Sequence, residues 1–407
     1  MIERRAAVAA SRIHARKAAI LILVLAITAG LALIPQGCVR VEEPAAVPAQ
    51  PPRPSTSAAL SPTPVFPGTD WERMTDPRPA GFTEAALEAI RQHLEIMPTT
   101  GFMLVVGGRV VLEYGDITGL SYIASVRKSL LAMLFGNYVA AGKIRLDKTL
   151  AELGIIDHGG LTGRELEATI GDLLAARSGI YHAASNSGDN LADAPPRGSK
   201  RHGEYFLYSN WDFNALGTIF EQETGRNIYD ALETDLAIPI GMQDFKREAQ
   251  RKSGDLKKSI HPAYHMWFST RDMARIGLLM LREGNWNGKQ VIPRVWVGKI
   301  TSVVTPRDQM NPGPLRKGRL GYGYLWWVFD GPLAAGPGDY YEGAYSGRGA
   351  GGQFITVIPR LDLVIAHKTN LALSGKKQVS WDVYLGLLDR ILAVSGVTGS
   401  FYQFPIP

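Results

Sequence analysis

Apolar residues run almost without a break from Val126 through Leu130, Leu131, Met133, Leu134, Phe135, Tyr138 and Val139 in YIASVRKSLLAMLFGNYVAAGK, residues 122–143, and Gly142 is placed to end the run. A helix that is apolar on every side has no face to offer water, so this one is predicted to be buried. Elsewhere the pattern is periodic. Thr83 can cap a helix whose Leu87, Ile90, Leu94 and Met97 recur at helical spacing. GFMLVVGGRVVLEYG then reads as two β-runs joined by Gly107-Gly108, a two-residue turn that needs positive φ.

Residues 146–299 are helical and rich in loops, with amphipathic runs in ATIGDLLAARSGI, WDFNALGTIFEQETG and STRDMARIGLLMLREG. The β-signal returns in YGYLWWVF, QFITVIP and LDLVIAH, the last two joined near Arg360-Leu361, and WDVYLGLLDRILAVSG supplies a final helix. The fold class expected is α+β: one antiparallel sheet flanked by helices and assembled from residues 81–145 and 300–407, plus an all-helical subdomain over residues 146–299.

Composition narrows the picture. The chain has 407 residues, 45% hydrophobic and 20% charged, as expected of a globular protein. Its net charge of +6 is concentrated in Arg4, Arg5, Arg12, Arg16 and Lys17, opposed only by Glu3 before residue 38, which leaves little excess for the rest and argues against a nucleic-acid partner. This basic start leads into AAILILVLAITAGLALI, residues 18–34, so residues 1–37 read as a signal peptide or membrane anchor and the protein is expected to be exported to the periplasm or cell envelope. Cys38, the sole cysteine, is a candidate lipidation site just beyond; alone, it allows no internal disulfide. Residues 38–80 are proline-rich and read as a linker, with the folded domain starting near Gly81.

Candidate chemistry lies at the mouth of the buried helix. Ser125 and Lys128 share a helical face, and a lysine buried near a helix N-terminus is pushed toward its neutral form, in which it can take a serine proton. Spacing alone does not carry this reading, because Ser374 and Lys377 repeat it in a polar loop with no apolar run behind them. Tyr208 and Asn210, just before the helix of WDFNALG, offer a proton shuttle and an amide to orient a substrate carbonyl. In Gly347-Arg348-Gly349-Ala350-Gly351-Gly352-Gln353, ahead of the strand FITVIP, the glycines let a substrate lie against a strand edge, with Gly349, Ala350 and Gly351 lining it. His261 and His265 make a poor metal site, since Pro262 interrupts any helix between them, and Lys368-Thr369-Asn370 reads as a strand exit.

Together these motifs resemble the serine β-lactamase and penicillin-binding-protein superfamily, specifically its class C-like β-lactamase-related hydrolases. Ser125-Val126-Arg127-Lys128 stands for the family's Ser-x-x-Lys, Tyr208-Ser209-Asn210 for Tyr-x-Asn, and Gly347-Arg348-Gly349 stands where the family has Lys-Thr-Gly or His-x-Gly. The resemblance spans residues 81–395. It implies a cleft between sheet and helical subdomain, attack by Ser125 on a small-molecule ester or amide, proton transfer shared by Lys128 and Tyr208, an oxyanion held by the N–H groups of Ser125 and Ala350, and no cofactor. The missing lysine of the third motif points toward esters and amides, with a β-lactamase or D-Ala-D-Ala carboxypeptidase as the alternative enzyme and a non-catalytic envelope binding protein as the alternative class.

Overall fold

The computed structural model describes residues 64–331 and 340–395. The apolar segment of residues 18–34 and Cys38 lie outside the described residues. Among the described residues, no helix is long and apolar enough to cross a membrane.

Five helices and seven strands build the frame. The helices are α1 (Glu84–Ile96), α2 (Val126–Ala140), α3 (Asn210–Thr224), α4 (Thr270–Leu281) and α5 (Trp381–Val394). The strands are β1 (Gly101–Val106), β2 (Arg109–Gly115), β3 (Leu320–Tyr322), β4 (Trp327–Phe329), β5 (Tyr345–Gly349), β6 (Gln353–Ile358) and β7 (Leu363–Lys368). They form one antiparallel sheet in the order β2-β1-β7-β6-β5-β4-β3. The two ends of the chain meet where Gly101 of β1 pairs with Lys368 of β7. Every residue of β1, β6 and β7 is buried, which is why they read as continuous apolar runs rather than as alternations. The α+β class and the mixed sheet-and-helix architecture are as expected.

Each local prediction has a visible cause. Thr83 caps α1 by accepting from the Ala86 N–H, and Gly107 and Gly108 turn the β1–β2 hairpin at φ of 63° and 84°. On one face of the sheet, Tyr384 of α5 stacks on Phe354 of β6 with ring centroids 4.1 Å apart. On the other, α4 approaches so closely that a Cβ on Gly277 would lie 2.4 Å from Val364 of β7.

Four expectations need correction. YGYLWWVF is two strands, because the chain reverses through Gly323–Trp326 with Leu325 at a φ of 60°, and β3 and β4 pair antiparallel across that turn. The stretch Gly347–Gly349 lies within strand β5, not ahead of the sheet, and only Ala350–Gly352 turns into β6. Residues 64–80, assigned above to the linker, pack on the domain: at the sheet edge the Met74 N–H donates to the carbonyl of Val110 in β2 and the Val110 N–H donates to the Glu72 carbonyl, and the buried Arg275 donates to the carbonyls of Gly68 at 2.8 Å and Thr69 at 3.3 Å. Helix α4, placed by sequence in the helical subdomain, instead covers the sheet, since its apolar stripe fits β6 and β7.

Candidate active site

Helix α2 is buried without exception from Val126 to Gly136, and its first turn carries Lys128, with Ser125 at its N-cap. Ala124 enters at a φ of 48°, a left-handed conformation that a non-glycine residue rarely adopts, and delivers Ser125 to the N-cap position. The Ser125 hydroxyl makes no capping bond. It stays available, and the helix N-terminus beside it favours negative charge.

Lys128 Nζ lies 3.0 Å from Ser125 Oγ and 2.6 Å from the Tyr208 hydroxyl, so one amine bridges the two oxygens. Burial drives the Lys128 pKa well below the usual lysine range, and the charge of Arg127 pushes the same way against a smaller opposing pull from Asp189. Tyr208 is also buried, its ring packed on Phe213, Trp327 and Tyr322, and burial raises its phenol to about 12. Burial thus favours the neutral amine and the protonated phenol, the forms in which Lys128 can take a proton and Tyr208 can give one. That is a base and an acid in contact.

Asn210 opens α3 with its Nδ2 donating to the Ser187 carbonyl at 2.9 Å and its main-chain N–H donating to Asp189 at 3.0 Å. Its Oδ1 is buried without a partner. While the Ser187 bond stands, the residue presents an acceptor suited to a substrate N–H, where the sequence suggested a donor to a carbonyl.

Strand β5 runs past the serine. A Cβ on Gly349 would lie 2.5 Å from the Ile123 carbonyl oxygen and 3.2 Å from the Ser125 nitrogen, so only glycine lets the strand come this close. Gly347, two residues earlier on the same face, approaches Ser129 of α2 in the same way, at 3.2 Å from Oγ. Ala350 is exposed at the start of the turn and Gly351 follows it at a φ of 82°.

Neither substitute for the family's missing lysine is free. Arg348 has its guanidinium held between Trp327 at 4.4 Å and Trp381 of α5 at 4.1 Å, and its charge reaches Tyr208, where it favours the phenolate against burial. Lys368 ends β7 with Nζ donating to the Phe268 and Gly119 carbonyls, and burial lowers its pKa to about 7. Ser374 sits in an exposed loop, its hydroxyl donating to the Lys377 carbonyl at 2.7 Å. His265 accepts from or donates to the Tyr122 hydroxyl at 2.8 Å, and His261 is turned to Thr218 at 3.0 Å, so their rings serve separate contacts.

Two charged neighbours escaped the sequence reading. Arg127 is buried with its NH2 donating to Asn214 at 3.0 Å and its guanidinium 4.2 Å from the Tyr264 ring. Asp189 reaches the site only through a loop. Arg127 was visible as the residue beside Lys128, but on a helix a neighbour one position away normally faces elsewhere, and only burial on all sides keeps both charges in one low-dielectric region.

The beta-lactamase family model matches residues 87–388. The chain belongs to the beta-lactamase family. Among curated relatives, an uncharacterised protein of Alkalihalophilus pseudofirmus is 25% identical over 264 residues, covering 61% of this chain and 73% of the relative. Among solved structures, a protein described as a 6-aminohexanoate-dimer hydrolase from Bacillus anthracis superposes with a TM-score of 0.57 at 20% identity, covering 75% of this chain and 80% of its own. A class C beta-lactamase in complex with cefoxitin gives a TM-score of 0.55 at 15% identity, covering 76% and 98%. At such identities these two neighbours establish the fold, that of the beta-lactamase-family serine hydrolases.

Proposed function

We propose that this member of the beta-lactamase family cleaves a small-molecule ester or amide through an acyl-enzyme on Ser125. The observation that carries the reading is the amine of Lys128, buried and within hydrogen-bonding distance of both Ser125 Oγ and the Tyr208 hydroxyl. Neutral Lys128 takes the Ser125 proton as Oγ bonds to the substrate carbonyl carbon. The N–H groups of Ser125 and Ala350, with the α2 N-terminus behind them, hold the oxyanion. As the carbonyl reforms, Tyr208 gives its proton to the departing oxygen or nitrogen and is reprotonated by the Lys128 ammonium 2.6 Å away. Water then attacks the acyl group by the reverse sequence, with the same two residues moving protons, and releases the acid.

Support for ester and amide substrates over β-lactams comes from the position of the family's missing lysine, where none of the described residues places a free cation. A charge-assisted contact to a substrate carboxylate contributes about 1.5–3 kcal/mol, or one to two decades in binding. Here Gly347 stands at that position, Arg348 is held between two indoles and Lys368 is bonded to carbonyls. p-Nitrophenyl butyrate is therefore expected to be cleaved with a far higher kcat/KM than nitrocefin. We further infer export to the cell envelope from the basic and apolar start of the chain; cell fractionation of the full-length protein tests it.

The direct test is Ser125→Ala, with a fluorophosphonate probe as a second readout. Turnover and labelling are both expected to vanish while the melting temperature holds, and Ser374→Ala is expected to change neither. Persistent esterase activity in Ser125→Ala would sink the mechanism.

A further inference from the structure

The chain contains only two Lys-Lys pairs, Lys257-Lys258 and Lys376-Lys377, and each stands beside an exposed leucine. Leu256, directly before the first pair, is 54% exposed; Leu373, three residues before the second, is 63% exposed, and Leu371 close by is 41% exposed. An exposed apolar side chain on its own is ordinary: Ile238 and Val295 are at least as exposed as these leucines and adjoin no lysine pair. What recurs at the two leucine segments is an apolar tip joined to two cations.

Both segments are tied to the site. In residues 370–379, the loop that follows β7, the Val379 N–H donates to the Gly351 carbonyl at 3.3 Å, and Leu371 lies 3.7 Å from where a Cβ on Gly351 would stand. In residues 254–258, the Asp255 N–H donates to the Ser185 carbonyl at 2.7 Å, on the loop whose Ser187 and Asp189 hold Asn210. Between the two segments lie Tyr122, which is partly exposed, and Trp267; both line one cavity with Leu371. Arg251 stacks on Trp267 at 3.8 Å and begins the short strand Arg251–Ser253 that runs into residues 254–258. A rim of apolar and basic side chains thus extends from Leu373 to Leu256.

The positive charge of this rim is largely unopposed. Among the described residues Lys257, Lys376 and Lys377 have no ion-pair partner, Lys258 has only the exposed Asp255 at 3.9 Å, and no acidic residue occurs from 363 to 381. Protein interfaces are depleted of lysine and centre on a dry apolar core, whereas here the apolar side chains alternate with lysines along a rim. At a bilayer surface that mixture has a direct use: leucine enters the acyl boundary, tyrosine and tryptophan sit at headgroup level, and lysine amines meet lipid phosphates. We propose that this rim docks on an anionic lipid surface and holds the mouth of the site against it. The export inferred above supplies the bilayer.

The test uses the full chain reconstituted into vesicles and needs no turnover, so it stands or falls apart from the hydrolytic reading. Cys38→Ser removes the sole native thiol, and an NBD fluorophore is then attached through Leu373→Cys or Leu256→Cys, with Lys289→Cys on the exposed turn of the Asn285–Gln290 hairpin as the control. In phosphatidylglycerol–phosphatidylcholine vesicles carrying spin labels on the lipid chains, both rim positions are expected to be quenched and the control is not. Quenching should fall at least about fivefold in phosphatidylcholine alone, and by as much at position 373 when Lys376→Gln and Lys377→Gln are added, since each lysine at an anionic surface is worth about fivefold in binding. No quenching at either one of the rim positions, the result if an acidic protein is the partner, overturns the proposal. Equal quenching in the two kinds of vesicle, unchanged quenching in the lysine variant, or a control quenched as strongly as the rim does the same.

Discussion

A buried amine has to be neutral to act as a base, and Lys128 is pushed toward that form by desolvation first and the charge of Arg127 second. The consequence for pH has a definite sign. Because the pKa is depressed, the unprotonated fraction grows at a lower pH than for an ordinary lysine near about 10.4, so kcat/KM should rise with pH well below that value. It should then hold level until Tyr208 loses its proton near about 12. An acid limb lying at the ordinary lysine value would contradict the assignment. Arg127→Met removes a positive neighbour, so the same limb should move to higher pH. Lys128→Arg places there a guanidinium that cannot give up its proton, and activity should fall nearly as far as in Ser125→Ala. Tyr208→Phe should lower kcat by about 10²–10⁴-fold, most steeply for substrates with poor leaving groups. The meeting of Ser125, Lys128 and Tyr208 was legible because each belongs to a short motif whose spacing has a mechanical meaning. Arg127 and Asp189 were not, because their influence depends on distances that folding creates. Asn210 was found as a residue, but the sequence could not show that Ser187 would occupy its nitrogen.

At the scale of elements, the site depends on how closely β5 and α2 approach. Gly349→Ala would put a methyl group 2.5 Å from a main-chain oxygen, which cannot swing aside as a side chain can. The strand must shift, and a displacement of about 1 Å at the reacting centre can cost about 10²-fold in rate. We expect a comparable loss in kcat/KM measured with p-nitrophenyl butyrate, alongside a lowered melting temperature. Equal activity in Gly349→Ala would show that the strand does not hold the substrate. The apolar helix, the first hairpin and the last two strands were read directly from periodicity. The glycines of β5 were read as room for a substrate ahead of the strand FITVIP, and their place inside a strand of their own was hidden because strand residues usually carry side chains. Their real function, permitting close approach to another element, is a tertiary one.

For the molecule as a whole, the boundary of the domain is the principal departure from the sequence. Proline content marks residues 38–80 as tether, yet Arg275, buried in α4, uses the carbonyls of residues 67–69 as hydrogen-bond partners. Phe66 also packs edge-on against Trp286 at 5.4 Å. Composition reports that a segment cannot form its own core; it says nothing of whether another core has a place for it. A chain beginning at residue 81 would leave buried guanidinium donors unpaired, at a cost of about 1–3 kcal/mol, and should melt several degrees below one beginning at residue 61. Equal melting temperatures would return residues 64–80 to the linker.

The central claim is that Ser125 becomes covalently acylated during turnover. Acid-quenching the enzyme during hydrolysis of p-nitrophenyl butyrate, followed by digestion and mass spectrometry, measures this directly. The account predicts a butyryl group on the peptide that contains Ser125, absent in Ser125→Ala and accumulating when Tyr208→Phe slows release. Vigorous turnover with that peptide unmodified, or with the butyryl group on another residue, would contradict it.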